Sequence, residues 1–167
     1  MIIFAENFQI FNVMKQVLLL FTILLMTTSC KNSDNGFKDA ELVAKQWAEA
    51  YFNYDFEEAS HHITEESSKW LQLMASNITE ADVDVINSRE EPTTVAVTDL
   101  QLDNDTSGQA TLRVNNWVCA DSIGKPARLV DEADFTVLMV RRDGKWLIKM
   151  ASLPRNEKQS HDSAWDE

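Results

Sequence analysis

The sequence predicts an α+β domain in which N-terminal helices pack on a bent antiparallel sheet of about four strands. Apolar residues recur at three- and four-residue spacing in the first half of residues 37–153, as in amphipathic helices, and alternate in the second half, as in strands. The pair Asp143 and Gly144 is a favoured sequence for a two-residue hairpin turn. Helices lying on one face of the sheet would cover both sets of apolar residues.

Two helices are predicted at the start of this domain. Asp39 can cap the first helix, whose apolar residues follow helical spacing: Val43, Trp47, Ala50, Tyr51 and Tyr54. Asp55 and Glu58 form a capping-box pattern, which starts a second, shorter helix through Ala59 and His62.

A third helix is predicted to begin at Thr64, because two glutamates follow it and acidic residues are favoured in the first turn. Its apolar side carries three large residues: Trp70, Leu71 and Met74. The next segment permits two interpretations. Thr79 and Asp82 suggest another helix cap, whereas Val83 and Val85 alternate like residues of a strand.

The first strands of the second half have an irregular pattern. Val95 and Val97 alternate, but the phase then slips by one residue to Leu100. A second slip of the same kind separates Val114 from Trp117. A one-residue slip in a pattern of period two is typical of a β-bulge, which bends a sheet.

The last two strands, residues 135–142 and 145–153, are predicted to form a hairpin with a fixed register. A two-residue loop pairs Arg142 with Lys145, Arg141 with Trp146, Met139 with Ile148 and Val137 with Met150. One face then collects six large apolar residues: Phe135, Val137, Met139, Trp146, Ile148 and Met150. Arg141 opposite Trp146 is either a stacking pair or a ligand anchor.

The order of these elements, with WAEAYF at residues 47–52 and DGKW at residues 143–146, resembles the nuclear transport factor two-like superfamily. That superfamily has a cone-shaped α+β fold related in outline to cystatin. The resemblance covers residues 38–153 and implies a cavity between helices and sheet. Some members, such as ketosteroid isomerases and polyketide cyclases, use that cavity for acid–base catalysis, and others are binding or dimerisation modules. No catalytic motif of the enzymatic members matches a position in this sequence.

The implied pocket is lined by the first helix and the last hairpin: Trp47, Tyr51, Tyr54, Phe135, Met139, Arg141 and Trp146. We interpret Tyr51 and Tyr54 as packing residues with wet hydroxyls. We expect no catalytic residue, metal ion or cofactor in this pocket. An enzyme would instead need Asp99, Asp121 or His62 inside an apolar cavity beside a tyrosine.

The histidines and the second cysteine have structural interpretations. His61 and His62 are adjacent and diverge on a helix, so they are not spaced as a usual metal-ligand pair. Glu58 and His62 do have i, i+4 spacing, but an exposed helix end is favoured over a metal site. Cys119 lies in an apolar stretch and is expected to be a small buried core residue.

The N-terminal segment has the pattern of a signal peptide. Residues 17–26 form an uncharged apolar run behind Lys15, too short for a membrane span. Residues 27–30, TTSC, resemble the lipobox of bacterial lipoproteins, in which the cysteine is lipidated and becomes the new N-terminus. Residues 1–29 are therefore predicted to be a lipoprotein signal peptide, with Met14 as a possible true start. A plain secretory signal with an incidental Cys30 is the alternative.

The remaining segments complete the predicted organisation. Residues 30–36 are predicted to be a polar tether, residues 37–153 the α+β domain and residues 154–167 a disordered tail. If Cys30 is lipidated, Cys119 has no cysteine in this chain with which to form a disulfide.

The net charge and the predicted signal peptide together suggest a function class. The net charge of −12 argues against a nucleic-acid partner. The leading interpretation is a lipid-anchored binding or interaction module of the bacterial cell envelope, with a small apolar ligand or an envelope protein as partner. A homodimer through the apolar outer face of the hairpin is a weaker expectation, based on Leu138, Val140 and Leu147. The alternatives are a small envelope enzyme of the isomerase or cyclase type and an anchored structural partner of a larger assembly.

Overall fold

The computed structural model describes residues 32–120 and 127–156, and in that part of the chain the helices precede the sheet. The helical elements are α1 (Asn32–Phe52), α2 (Phe56–Ser60), a 3-10 turn (Glu65–Ser67), α3 (Ser68–Asn77) and α4 (Glu80–Asn87). The strands are β1 (Thr94–Asn104), β2 (Ser107–Cys119), β3 (Arg128–Arg142) and β4 (Lys145–Lys149). They form one antiparallel sheet in the order β1-β2-β3-β4. The predicted α+β class is confirmed.

The first helix begins earlier than predicted. Helix α1 begins at Asn32, so Asp39 lies inside it and does not cap it. Polar residues are also common in the first turn of a helix. A polar composition alone therefore does not distinguish a tether from the start of a helix. Residues 32–36, part of the predicted tether, are therefore helical. Residues 1–31, including the predicted signal peptide and Cys30, lie outside the described residues.

The short helices begin where their caps predict. The Asp55 side chain accepts a hydrogen bond of 3.1 Å from the Glu58 N–H, but α2 ends at Ser60, before the predicted His62. At α4 the ambiguity is settled as a helix, because Thr79 and Asp82 form a reciprocal capping box.

The third predicted helix starts with a different geometry. Its first turn is a 3-10 turn, and the Thr64 side chain makes no cap hydrogen bond. The Thr64 hydroxyl instead lies 2.8 Å from the Ser67 hydroxyl in the core. This pair positions Ser67 toward the last strand, and α3 follows from Ser68.

The two predicted bends have different structures. A register shift between Val97 and Asp99 confirms the bulge in β1. In β2 no bulge against β3 occurs, because the pairs Asn115–Glu132 and Trp117–Val130 keep the same register. Asn116 adopts a left-handed conformation with φ of 54° instead. A left-handed residue interrupts the alternation of side chains along a strand, as a bulge does. The same sequence pattern therefore fits either structure.

The β3–β4 hairpin is confirmed, but it is shorter than predicted. Asp143 and Gly144 both have positive φ, at 50° and 80°, as a type I′ turn requires. The predicted register holds from Arg142–Lys145 to Leu138–Lys149. The predicted pair of Val137 with Met150 is not formed, since the Met150 N–H donates to the Ser67 hydroxyl at 2.8 Å instead.

Aromatic rings fill the space between α1 and the sheet. Phe52 lies 4.6 Å from Phe135 and 5.6 Å from Trp117, measured between ring centroids. Trp47 stacks on Tyr51 at 4.9 Å. All five side chains are buried, so this region is the hydrophobic core of the domain.

Candidate functional site

Most residues of the predicted pocket belong to the core. The buried members are Trp47, Tyr51, Phe135, Met139 and Trp146. These residues of α1, β3 and β4 belong to one cluster of buried side chains, in which Trp47 stacks on Tyr51. Cys119 is also buried, as expected.

Tyr54 connects the end of α1 to the end of β2. Its hydroxyl donates a short hydrogen bond to the Val118 carbonyl and accepts hydrogen bonds from the Trp117 side chain and the Ala120 N–H. Burial raises the pKa of the Tyr54 phenol, as does the neighbouring Cys119. Tyr54 therefore packs as expected, but the prediction that its hydroxyl is wet is wrong, because that hydroxyl is bound to protein groups.

Arg141 is also used locally. Its Nε donates to the Gly144 carbonyl at 3.2 Å, and its backbone N–H donates to the Thr106 carbonyl at 2.8 Å. The side chain therefore supports the hairpin turn.

A cavity of about 580 Å³ lies at the edge of the sheet, beyond the end of β4. The chain leaves the edge of β3 after Lys149, passes through residues 150–155, and returns at Asn156, which forms an antiparallel bridge with Phe135. The excursion, the edge of β3 and Trp47 of α1 border this open cavity. Trp47 is the member of the predicted pocket that lines it.

The cavity wall combines an apolar interior with positive charge. The apolar lining consists of Trp47, Val137, Leu138, Ile148, Met150 and Leu153. Lys149 and Arg155 supply positive charge, and Thr136 and Ser152 supply hydroxyls. Among the described residues that line the cavity there is no carboxylate, although the chain has a net charge of −12. The cavity is therefore chemically distinct from the acidic remainder of the protein.

Two buried tryptophan side chains border cavities. Neither Trp47 Nε1 nor Trp146 Nε1 has a hydrogen-bond partner among the described residues. Trp47 lines the large cavity, while Trp146 lines a cavity of about 290 Å³ beside His61 and His62. Buried donors of this kind are uncommon in proteins.

The candidate acid–base residues have other partners. The Asp99 carboxylate is exposed on β1 and accepts a hydrogen bond of 2.7 Å from the Gln101 amide. His62 Nε2 lies 3.1 Å from the Glu58 carboxylate just beyond the end of α2, and its side chain is only 16% exposed, so the expected exposed helix end is wrong for His62. Asp121 lies outside the described residues. Within residues 32–120 and 127–156, no cluster of three or more potential metal ligands occurs.

Sequence reasoning missed the edge cavity because it assigned residues 145–153 to one strand and 154–167 to a tail. One signal was present: Pro154 has no N–H and cannot take part in a regular ladder. The decisive contact, from the Met150 N–H to Ser67, joins residues far apart in the sequence and has no local pattern.

Comparisons with known proteins add a structural likeness. No protein-family model matches the chain, and no curated protein matches it. Among solved structures, the chain is similar to an NTF-2 like protein of unknown function from Shewanella oneidensis MR-1. The two share 13% sequence identity with a TM-score of 0.45, over 66% of this chain and 92% of the other. Nothing about the function of this chain follows from a likeness at that level.

Proposed function

We propose that this chain is a lipid-anchored binding module of the bacterial cell envelope whose edge cavity takes a small ligand with an apolar body and an anionic end. The observation that carries the proposal is the lining of the cavity: an apolar wall next to Lys149 and Arg155, with no carboxylate among the described lining residues. The lipid anchor is proposed from the lipobox-like residues 27–30.

The size and shape of the cavity suit a small molecule. Pockets that bind small molecules occupy about 300–1,000 Å³ and are mostly apolar, with a few polar groups that orient the ligand. The edge cavity falls in that range at about 580 Å³. Leu138, which is exposed, and Leu153, which is half-buried, would contact the body of a ligand, and its apolar surface would leave water.

The charges favour a particular end group. Lys149 and Arg155 offer N–H donors that pair with a carboxylate, and charge-assisted hydrogen bonds are stronger than neutral ones. A cationic ligand would instead place a third positive charge beside Lys149 and Arg155. An aliphatic carboxylate therefore fits the cavity better than an alcohol or an ammonium of the same length.

Calorimetry with three ligands of equal chain length tests this preference. Every described element lies within residues 32–156, so the experiment uses the chain from Lys31 onward. We expect decanoate to bind about tenfold more tightly than decan-1-ol, and decyltrimethylammonium to bind least. The double substitution Lys149→Gln and Arg155→Gln should reduce decanoate affinity to that of decan-1-ol. Lys45→Gln is the control, because Lys45 pairs with Glu49 on α1. Equal affinity for all three ligands, or no binding, would contradict the proposed ligand class.

The lipid anchor has a separate test. Cells that express the full chain are fed radiolabelled palmitate, and incorporation into the protein is measured. Cys30→Ala should abolish the label, whereas Cys119→Ala should retain it because Cys119 is buried. Label that persists in Cys30→Ala would remove the anchor from the proposal. No helix in the described residues combines the length and apolar character needed to cross a membrane.

We also propose a homodimer through the outer face of the hairpin. Leu138 is 47% exposed there, and Val140 and Leu147 are half-buried beside it. Sedimentation of the chain from Lys31 onward should show a dimer that Leu138→Ser weakens. A monomer at all concentrations would exclude this partner.

A further inference from the structure

We propose that an open cavity beside the end of α4, the α4 cavity, binds a small zwitterionic amino acid with an apolar side chain. The proposal is independent of the edge cavity and of the ligand proposed there. It rests on a half-buried arginine, on two glutamates that follow it in the sequence, and on apolar residues that line the same cavity.

The α4 cavity has a volume of about 390 Å³ and is lined by residues of α4, β2 and β3 and by the segment between α4 and β1. Its charged lining consists of Arg89, Glu90 and Glu91. Its accessible apolar lining consists of Val85, which is half-buried, and Leu129, which is 56% exposed. Pockets of this size bind small molecules.

The Arg89 side chain is positioned by neutral groups. Its Nε donates to the Ile86 carbonyl at 2.9 Å, and its Nη1 donates to the Thr93 hydroxyl at 2.6 Å. Nη1 also lies 3.4 Å from the amide oxygen of Asn53. These acceptors lie in the last turn of α4, just before β1 and just after α1, so three segments of the fold fix the guanidinium.

The positive charge of Arg89 has no ion-pair partner within residues 32–120 and 127–156. Its Nη2 donates to no protein group in the same part of the chain. Charged groups that are withdrawn from water are usually paired. A guanidinium presents its N–H groups in a planar fork that matches a carboxylate, and charge-assisted hydrogen bonds are stronger than neutral ones. Arg89 therefore suits the carboxylate of a ligand.

The two glutamates restrict the class of ligand further. Glu90 and Glu91 are exposed, and neither forms an ion pair with a described lysine or arginine. The Glu91 carboxylate instead accepts a hydrogen bond of 3.2 Å from the Asn116 amide. Two negative charges beside one positive charge disfavour a ligand that is only anionic. A ligand that also carries an ammonium group complements both signs of charge.

An α-amino acid with an apolar side chain meets all of these requirements. Its carboxylate would pair with Arg89, its ammonium would lie beside the two glutamates, and its side chain would contact Val85 and Leu129. A simple aliphatic carboxylate lacks the ammonium, and a simple amine lacks the carboxylate. The α4 cavity thus differs in ligand class from the edge cavity, whose described lining has no carboxylate.

Calorimetry on the full chain tests the proposal with L-leucine, 4-methylpentanoate and 3-methylbutylamine. The second ligand is leucine without its amino group, and the third is leucine without its carboxylate. Lys149→Gln and Arg155→Gln are present throughout, so that the edge cavity does not add its proposed preference for carboxylates. We expect leucine to bind at least about tenfold more tightly than either of the others. Equal affinities, or no binding of leucine, would overturn the proposal.

Two variants assign the charges of the cavity to the two ends of the ligand. Arg89→Gln should abolish the difference between leucine and 3-methylbutylamine. Glu90→Gln combined with Glu91→Gln should abolish the difference between leucine and 4-methylpentanoate. Each variant should keep the difference that the other abolishes. Glu57→Gln, at an exposed position on α2, is the control and should leave all three affinities unchanged.

A merely structural role of these residues would have a different result. Arg89 joins three segments of the fold, so its variant is first checked for folding by circular dichroism. Should Arg89→Gln fail to fold, the double glutamate variant decides, because both glutamates are exposed. A loss of affinity that is equal for all three ligands in the double glutamate variant would overturn the proposal.

Discussion

The interior of the domain and the edge of its sheet use similar apolar residues, but the interior is packed with aromatic rings whereas the edge borders a cavity. In the interior, Phe52, Phe135 and Trp117 contact one another ring to ring. At the edge, residues 150–155 leave the sheet and border an open cavity of about 580 Å³. The candidate binding site therefore lies where the backbone leaves the sheet, whereas the densest aromatic cluster forms the core.

One hydrogen bond explains the diversion. Regular pairing would place Met150 opposite Val137, but its N–H donates to the buried Ser67 hydroxyl. Ile148 stays in register with Met139, and on the other edge of β4 its carbonyl accepts from the Thr64 N–H while its N–H donates to the His62 carbonyl. The last strand is thus drawn toward the helices, and the edge of β3 is left open beside it.

The largest expected effect tests whether the interior is filled. Phe135→Ala should lower the free energy of unfolding by about 3–5 kcal/mol, because a fully buried ring is replaced by a cavity. Urea denaturation measures it. Thr136→Ala, on the exposed side of the same strand, should change stability by about 0.5 kcal/mol or less. A similar small change for Phe135→Ala would mean that its ring borders open space.

The next effect concerns Tyr54. Tyr54→Phe should lower the free energy of unfolding by about 2–3 kcal/mol, because the Val118 carbonyl and the Trp117 side chain lose a buried partner. Decanoate affinity should not change. Unchanged stability with lost binding would assign the hydroxyl to a ligand site and contradict the packing role.

A smaller effect tests the diversion itself. Ser67→Ala should lower stability by about 1–2 kcal/mol, since the Met150 N–H loses its acceptor, and should weaken decanoate binding several-fold. Ser76→Ala is a suitable control, because Ser76 is exposed on α3 and its hydroxyl bonds only to the local Leu73 carbonyl. Unaltered decanoate affinity in Ser67→Ala would show that this contact does not hold the cavity wall.

The smallest effect should appear only in acid. Hydrogen bonds from Thr79 and Ala127 hold the pKa of Asp82 below its ordinary value. This contribution to stability is therefore present above about pH 4 and lost as the pH falls through the lowered pKa. Asp82→Asn should flatten the stability profile in that range. An unchanged profile in Asp82→Asn would refute this linkage.

The sequence predicted those parts of the fold that depend on local chemistry. The Asp143 and Gly144 turn was predictable because few other residues accept two consecutive positive φ angles. The helix at residues 80–87 could be predicted only in part. Thr79 and Asp82 indicated an N-terminal cap, whereas Val83 and Val85 suggested a strand. The outcome at Asn116 shows a limit: the phase slip was visible, but its backbone cause was not.

The candidate site was less predictable than the fold. The sequence placed Trp47 in a pocket between helices and sheet because its spacing put it on the covered side of α1, and in the structure it lines the edge cavity. The remainder of the lining depends on the contact between Met150 and Ser67, which are 83 residues apart. Such a contact is set by the packing of helices on the sheet and leaves no signal in either local sequence.

Native mass spectrometry of the full chain isolated from the cell envelope is the most direct test of a ligand in the edge cavity. We expect the protein to retain a small molecule with an anionic group. Ala151→Trp should lose this molecule, because the new indole would occupy the cavity. Leu42→Trp, on the exposed side of α1, should retain the ligand. A protein that is free of ligand, or a ligand retained equally by Ala151→Trp, would contradict the account.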